Sequence, residues 1–501
     1  MRLSVPAVAL RVVPVALAAV VYWPITANYF FADDFLHLYQ VVNEPLTKLL
    51  VTPFGGHLYT VRNLAFTLLY HLFGPEPRWY FCAVLLTHLV NVALLQEVVL
   101  RLGAAPRAAA AGAALWGTAP VLEGSLGWFP SYGHVLVATA LLGVLASAAR
   151  VASGQTRANP LRLAVWYVAL LAGATCYGTG IAVALAFPVV AFLLLPPGPD
   201  RRRSCAVLAS LWIVVPLLYV LSHRIWVEVY GGPAHALPMQ IALALNWHAP
   251  AEMLGGLLAH GVASTHLGFF WQGKTGSAAV LVLTSGVYLA CVVAALGWGS
   301  GLLRRQVLAC AVLSLAIYAL VAAGRGNLYT WIPDPEATPF RSAATSRYHY
   351  VGLTPLIIAS CLIARALAGR FDLPARLRDV LLGLVVGAIV LGWWRSGWRI
   401  EHWAADRQKT VDELVLIRRT IAAAPAGRDV FIANRYFAAA PLVPLREFPG
   451  SAAVFAIFFP DDRVEGRRVY FVTTDADVLA AARDGRRSAT LLIPPPPQAR
   501  R

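Results

Sequence analysis

The chain has 501 residues, of which 58% are hydrophobic and 13% charged, with a mean hydropathy of +0.64. A soluble globular protein carries about 25% charged residues, so the composition excludes that class and points to a polytopic membrane protein. The net charge of +16 does not argue for nucleic acid: the arginines are scattered between hydrophobic runs, where they report topology, and no basic helix, zinc-type cysteine spacing or RNA-binding motif accompanies them.

Hydropathy predicts eleven membrane spans, near 5–24, 79–100, 107–122, 132–149, 162–178, 180–196, 205–223, 278–298, 306–323, 349–369 and 377–394. The first lacks a small-residue cleavage site before Asn28 and reads as a retained span. Residues 162–196 form one apolar stretch interrupted by Gly178-Thr179-Gly180. Two spans of about 16 residues are short for a hydrocarbon core of roughly 30 Å. The positive-inside rule supports two. With Arg2 and Arg11 cytoplasmic, the short loops carrying Arg101, Arg150, Arg201, Arg304 and Arg365 then fall on one side. A single span would place Arg162 and Arg201 on opposite sides.

The long mixed-charge loops 25–78, 224–277 and 324–348 fall on the other side, with the turn at 123–131 and the tail from 395. Chemistry is expected there, facing the periplasm or cell exterior. The alanine- and arginine-rich usage is that of a high-GC bacterial chain, so the membrane is expected to be the plasma (inner) membrane.

The first outer loop opens with Asn28-Tyr29-Phe30-Phe31-Ala32-Asp33-Asp34-Phe35. Two adjacent carboxylates at a span mouth are either solvated headgroup-level charges or the polar centre of a site. A carboxylate in a partly desolvated cleft makes a usable general base, whereas Asp34 before a helix starting at Phe35 reads as an N-cap. One capping and one catalysing reconciles the two. Leu36–Leu50 and Tyr59–Phe73 have near-helical apolar spacing, with Leu64, Leu68 and Leu72 as one stripe, and read as interfacial helices. His57 between them binds an acceptor or leaving group, or is a solvated loop residue.

Glu123 ends the third span on the same side as Asp33, as a rim charge or a pocket carboxylate. Residues 251–271 lie on or dip into the membrane. The loop 324–348 carries Arg341 and runs through Arg347-Tyr348-His349-Tyr350 into a span. These are interface anchors with belt aromatics, or a phosphate clamp built on the planar donor fork of arginine. Arg62 and Lys274 are lesser candidates on that face. The tail, 395–501, reads as a small α/β domain outside the membrane, with helices at Asp412–Ile421 and Ala476–Arg483, strands at Asp429–Ala433 and Arg468–Thr473, and a proline run at Pro494–Pro497. The six cysteines form no C-x-x-C pair and read as packing residues.

Four local elements carry a family resemblance: Phe31-Ala32-Asp33-Asp34-Phe35; Tyr59-Thr60-Val61-Arg62-Asn63-Leu64-Ala65-Phe66 with Leu72-Phe73-Gly74; Ala119-Pro120-Val121-Leu122-Glu123-Gly124; and Ser346-Arg347-Tyr348-His349-Tyr350. Together they resemble the GT-C superfamily of membrane glycosyltransferases, in its protein O-mannosyltransferase and aminoarabinose-transferase-like branch, over about the first 370 residues. The resemblance implies a GT-C-like all-α membrane domain over 1–394. It also implies an inverting transferase that uses a polyprenyl-phosphate sugar, with or without a divalent cation, and a glycan, lipid or protein acceptor. Asp33 or Asp34 would activate the acceptor hydroxyl, and the arginines would hold the lipid phosphate. Where relatives carry a Ser-Lys-Glu-like element, this chain has the uncharged Cys176-Tyr177-Gly178-Thr179-Gly180.

Two other readings stay open. A polysaccharide polymerase or ligase would share the spans and outer arginines without needing the acidic pair. A transporter or scaffold predicts ionisable residues at span centres and repeated halves. Here His88 and Asn91 are the main mid-span polar residues, and a structural hydrogen bond accounts for them.

Overall fold

The computed structural model describes residues 5–30, 33–54, 57–232, 234, 241, 246–267, 277–331, 338–371, 374–423, 429–433, 469–472 and 489–492. Lys274, Ala476–Arg483 and the proline run lie outside them. Each of the eleven apolar segments contains a helix. Helix α1 (Val5–Tyr22) is followed by α2 (Asp33–Asn43), α3 (Leu46–Val51), α4 (Thr60–Phe73), α5 (Pro77–Arg101) and α6 (Pro106–Gly117). Next come α7 (Glu123–Leu126), α8 (Tyr132–Ala152), α9 (Pro160–Ala174), α10 (Gly178–Leu194), α11 (Pro199–Ala209) and α12 (Leu211–Tyr230). The series closes with α13 (His248–Leu267), α14 (Ser277–Trp298), α15 (Gly301–Arg325), α16 (Pro339–Ser342), α17 (Tyr350–Phe371) and α18 (Ala375–Ala423).

Among the described residues seven helical segments are long and apolar enough to cross a membrane: Val8–Ala27, Pro77–Arg101, Phe129–Ala152, Pro199–Tyr230, Ala278–Trp298, Gly301–Tyr329 and Tyr350–Phe371. The protein is a polytopic helical membrane protein. The remaining apolar segments form shorter helices: α6, α9, α10 and the Val380–Arg395 part of α18. The 162–196 stretch does divide into two helices. Its break falls at Thr175-Cys176-Tyr177, and the Gly178-Thr179-Gly180 expected to interrupt it instead opens α10.

Helices α5, α8, α10, α15 and α17 pack together as the centre, and α14 lies at the margin. His88 and Asn91 of α5 are fully buried and serve this packing. The His88 Nε2–H donates to Gly117 O (2.9 Å), and Nδ1 accepts from the Tyr350 hydroxyl (2.8 Å). The Asn91 amide donates to Val135 O (3.0 Å). The six cysteines are all unpaired.

Glu97, near the end of α5, gathers arginines from three segments. Arg11 of α1 lies 3.6 Å away, Arg150 of α8 3.9 Å away, and Arg101 pairs with it along the helix. Arg365 donates to Leu102 O beside this hub (3.0 Å). Arg11, Arg101, Arg150 and Arg365, four of the arginines predicted to share one side, therefore share one end of the bundle.

The other end carries the first outer loop. The single helix expected over Leu36–Leu50 is two, α2 and α3, because Pro45 lacks a backbone N–H and pushes Glu44 out of helical conformation. A two-strand hairpin, β1 (Pro53–Phe54) with β2 (His57–Leu58), follows. On α4 the Leu64, Leu68 and Leu72 stripe points outward, 43%, 59% and 61% exposed, while Arg62, Asn63, Phe66 and Leu69 face in. This two-sidedness suits a helix lying at a membrane interface.

Helix α13, expected to lie on or dip into the membrane, packs against α14, α15, α16 and α17 with Met253, Leu257 and His260 buried. Helix α18 runs 49 residues and joins the last apolar segment to the helix expected at Asp412–Ile421. The two expected tail strands form as β3 (Asp429–Ala433) and β4 (Val469–Val472). A third, β5 (Ala489–Leu492), completes a parallel sheet of order β4-β3-β5.

Candidate functional site

Helix α2 begins at Asp33, so both carboxylates lie in its first turn rather than Asp34 capping it. Negative side chains suit that end of a helix, where the unpaired N–H groups carry partial positive charge. Adjacent positions point about 100° apart, and the two residues differ accordingly: Asp34 is fully buried and Asp33 half-buried. Burial raises the Asp33 carboxyl above its usual range, and the charges of Arg62, Arg347 and Arg325 oppose that rise. One carboxylate thus lies in the electrostatic field of arginines from α4, from the turn before α17 and from the end of α15.

The three arginines stand in different surroundings. Arg62 is fully buried. It donates to Asn63 Oδ1 (2.7 Å) and to Pro130 O (3.3 Å), and its guanidinium lies 3.7 Å from the Tyr59 ring centre. It also meets His37 of α2. His37 Nδ1 lies 3.2 Å from Gln40 Oε1 and 3.3 Å from Arg62 Nη2, and its Nε2 lies 3.2 Å from Arg62 Nη1. Arg62 therefore ties α4 to α2 and to the turn before α8. Burial, and then the Arg62 charge, hold the His37 imidazole well below its ordinary value.

Arg347 is half-buried, with its guanidinium 5.3 Å from the Trp128 ring centre and 5.2 Å from that of Tyr348. Its place depends on Gly124: a Cβ there would meet Ser346 and sit 2.9 Å from the Arg347 backbone nitrogen. The Ser125 hydroxyl also donates to Arg347 O (3.3 Å). Helix α7, with buried Glu123 at its start, thus seats the Arg347 turn.

Arg325 Nη2 donates to His57 Nε2 (2.9 Å), which places the His57 proton on Nδ1. Burial and the Arg325 charge hold His57 well below its ordinary value. His57 is not a solvated loop residue: it lines a cavity of about 260 Å³ with His134, Tyr177, Thr179, Arg325 and Tyr348, walled by Ile181, Leu320 and Val321. Tyr177 is flanked by His57 (ring centres 4.5 Å apart) and His134 (3.8 Å). The Tyr348 hydroxyl bonds to that of Tyr329 (2.8 Å).

The structure therefore brings Asp33, Arg62, Arg347, Tyr348 and His57 to one end of the bundle. Two further candidates sit apart. His349 is fully buried, its Nε2–H donating to Ala343 O (2.8 Å) and its Nδ1 accepting from the Tyr318 hydroxyl (3.0 Å). Arg341 is on α16, which packs against α13. Sequence reasoning did not single out Arg325, His134, Tyr177 or Thr179. Arg325 lies in the 324–348 loop marked as a site, where the phosphate role went to Arg341 and Arg347 instead. Among the described residues no three His, Cys, Asp or Glu side chains gather, so no residue set is assigned to a divalent cation.

No protein-family profile matches the chain, and no curated protein does. Two solved structures are similar. One is the archaeal oligosaccharyltransferase AglB from Archaeoglobus fulgidus in complex with an inhibitory peptide and a dolichol-phosphate, at 12% identity and TM-score 0.41, over 85% of this chain and 62% of that one. The other is the Archaeoglobus fulgidus oligosaccharyltransferase tethered to an acceptor peptide containing the NVT sequon, at 10% identity and TM-score 0.42, over 94% and 64%. This chain spans less than two thirds of the length of either.

Proposed function

We propose that the protein is a membrane glycosyltransferase that moves a sugar, with inversion, from a polyprenyl-phosphate donor to an acceptor hydroxyl on the outer face of the plasma membrane. The observation that carries this reading is Asp33: a half-buried carboxylate in the field of three arginines, one of which, Arg325, lines a cavity with apolar walls. A lipid-linked sugar phosphate offers the matching chemistry. Its hydrocarbon suits a membrane-facing site, and its phosphate suits arginine.

In the reaction Asp33 takes the proton of the acceptor hydroxyl. The acceptor oxygen bonds to the anomeric carbon as the bond from that carbon to the phosphate oxygen breaks. The charge left on the lipid phosphate is stabilised by Arg347 and Arg325. Arg62, spent on protein partners, holds α2 in place, and His349 anchors the start of α17. The acceptor class, glycan, lipid or protein, is set by surfaces beyond these residues.

The test is sugar release from a radiolabelled polyprenyl-phosphate sugar in membranes holding equal amounts of wild type, Asp33→Asn or Asp34→Asn. Transfer by the wild type that is lost in Asp33→Asn supports the reading. Loss only in Asp34→Asn moves the base to the buried carboxylate. No transfer with any donor, together with no binding of the lipid phosphate, replaces this reading with a transporter or scaffold.

A further inference from the structure

His134, on α8, is 1% exposed and lines the cavity. Its Nδ1 is hydrogen-bonded to Thr179 Oγ1 (3.2 Å), and its Nε2 has no hydrogen-bond partner among the described residues. A buried polar nitrogen without a partner is destabilising, and the Thr179 bond and the Tyr177 contact leave Nε2 unused. A hydrophobic ring of similar size would stack on Tyr177 equally well. The nitrogen is accounted for if it meets a polar group that arrives with a ligand.

The cavity narrows the class of that ligand. Its volume of about 260 Å³ lies under the roughly 300–1,000 Å³ of sites for drug-sized molecules, so it fits one small ring rather than an oligosaccharide. The tilted ring cluster of His57, Tyr177 and His134 supplies aromatic lining for such a ring. Arg325 stands at the same cavity with a charge for an anion, and His57, its proton on Nδ1, offers a neutral polar edge.

We propose that this cavity takes the single sugar ring of the donor, with His134 Nε2 bonded to one ring hydroxyl and Thr179 holding the imidazole that reads it. This rests on the glycosyltransferase reading and deepens it: His134 selects among sugars, and Arg325 recognises the phosphate they share.

The experiment is binding, not transfer, so it stands apart from the failure of that reading. Radiolabelled hexose and pentose 1-phosphates and inorganic phosphate are equilibrated with the full-length protein in detergent. Competition by unlabelled polyprenyl phosphate follows. The wild type is expected to bind one sugar phosphate more tightly than inorganic phosphate, and polyprenyl phosphate is expected to displace it. His134→Phe keeps the aromatic ring and should cut that preference roughly 2- to 10-fold, the worth of one hydrogen bond, leaving inorganic phosphate binding unchanged. His134→Gln should retain part of the preference, and Thr179→Val should reduce it. Arg325→Gln should weaken both ligands. A wild type that binds no sugar phosphate better than inorganic phosphate overturns the proposal. So does a preference untouched in both His134→Phe and Thr179→Val, or a sugar phosphate that polyprenyl phosphate does not displace.

Discussion

Arg325 donates to His57 across 2.9 Å, joining residues 268 positions apart in the chain. The bond links the end of α15 to the first outer loop at the mouth of the cavity. Arg325→Met should remove it together with the charge. His57 is half-buried, so water takes over part of the bonding, and the cost should sit near the low end of the roughly 1–3 kcal/mol for an orphaned acceptor. A small drop in the thermal unfolding midpoint in detergent is expected, alongside a much larger loss of lipid-phosphate affinity. Equal affinity in variant and wild type would remove Arg325 from the phosphate site.

The rate should depend on pH through Asp33. A general base must be ionised, and burial raises this carboxyl, so activity should fall as pH drops through the raised value. Arg347 opposes the rise. Arg347→Ala should therefore shift the acid limb to higher pH, besides weakening lipid-phosphate binding more than Asp33→Asn does. Asp33→Asn should lower turnover about 10²- to 10⁴-fold, the usual worth of a general base. An acid limb that stays put in Arg347→Ala would separate the two residues.

Arg62 is expected to behave as scaffold. Arg62→Lys keeps the charge but cannot reproduce a planar fork reaching Asn63, His37 and Pro130 at once. It should destabilise the first outer loop by about 1.5–3 kcal/mol for each charged hydrogen bond lost, seen as earlier proteolysis between α2 and α4. A stable Arg62→Lys protein with only a raised KM for donor would instead make Arg62 a substrate contact.

Acid should destabilise the folded protein through its buried imidazoles. His37 and His349 are buried and neutral, with His349 pushed down to about 3. Above a pH of about 6.5 neither state of the protein holds these protons. Below it the unfolded chain takes them up while the folded one refuses, so stability falls with pH by up to about 1.4 kcal/mol per unit for each group. Unfolding midpoints measured between pH 7 and pH 5 should decline, and less steeply in His349→Gln. A flat profile would mean that these imidazoles are not held neutral.

Much of the scaffold was legible because apolar runs and arginine spacing are local signals. The division of 162–196 was recovered from the side on which Arg162 and Arg201 must fall, and the structure breaks there at 175–177. Asp33 was legible for its position after the first span. Pro45 was overlooked, although its missing N–H is a local signal as plain as any. The cavity was not legible. His134 sits inside an apolar run and Thr179 in the next helical pair, and nothing along the chain says that α8 and α10 bring them within 3.2 Å. Likewise the burial of Arg62 follows from three partners supplied by separate elements, so its spacing alone could not tell a phosphate ligand from a strut.

Glu97 also bears on how the chain is assembled. During synthesis Arg11 emerges long before its carboxylate does, and Arg150 only afterwards. The hub can close only once the α8 segment has been delivered to the bilayer. A Glu97→Gln chain would carry the same spans but would lack the latch that ends this waiting period, so its defect would show in the yield of inserted protein rather than in the chemistry at the opposite end.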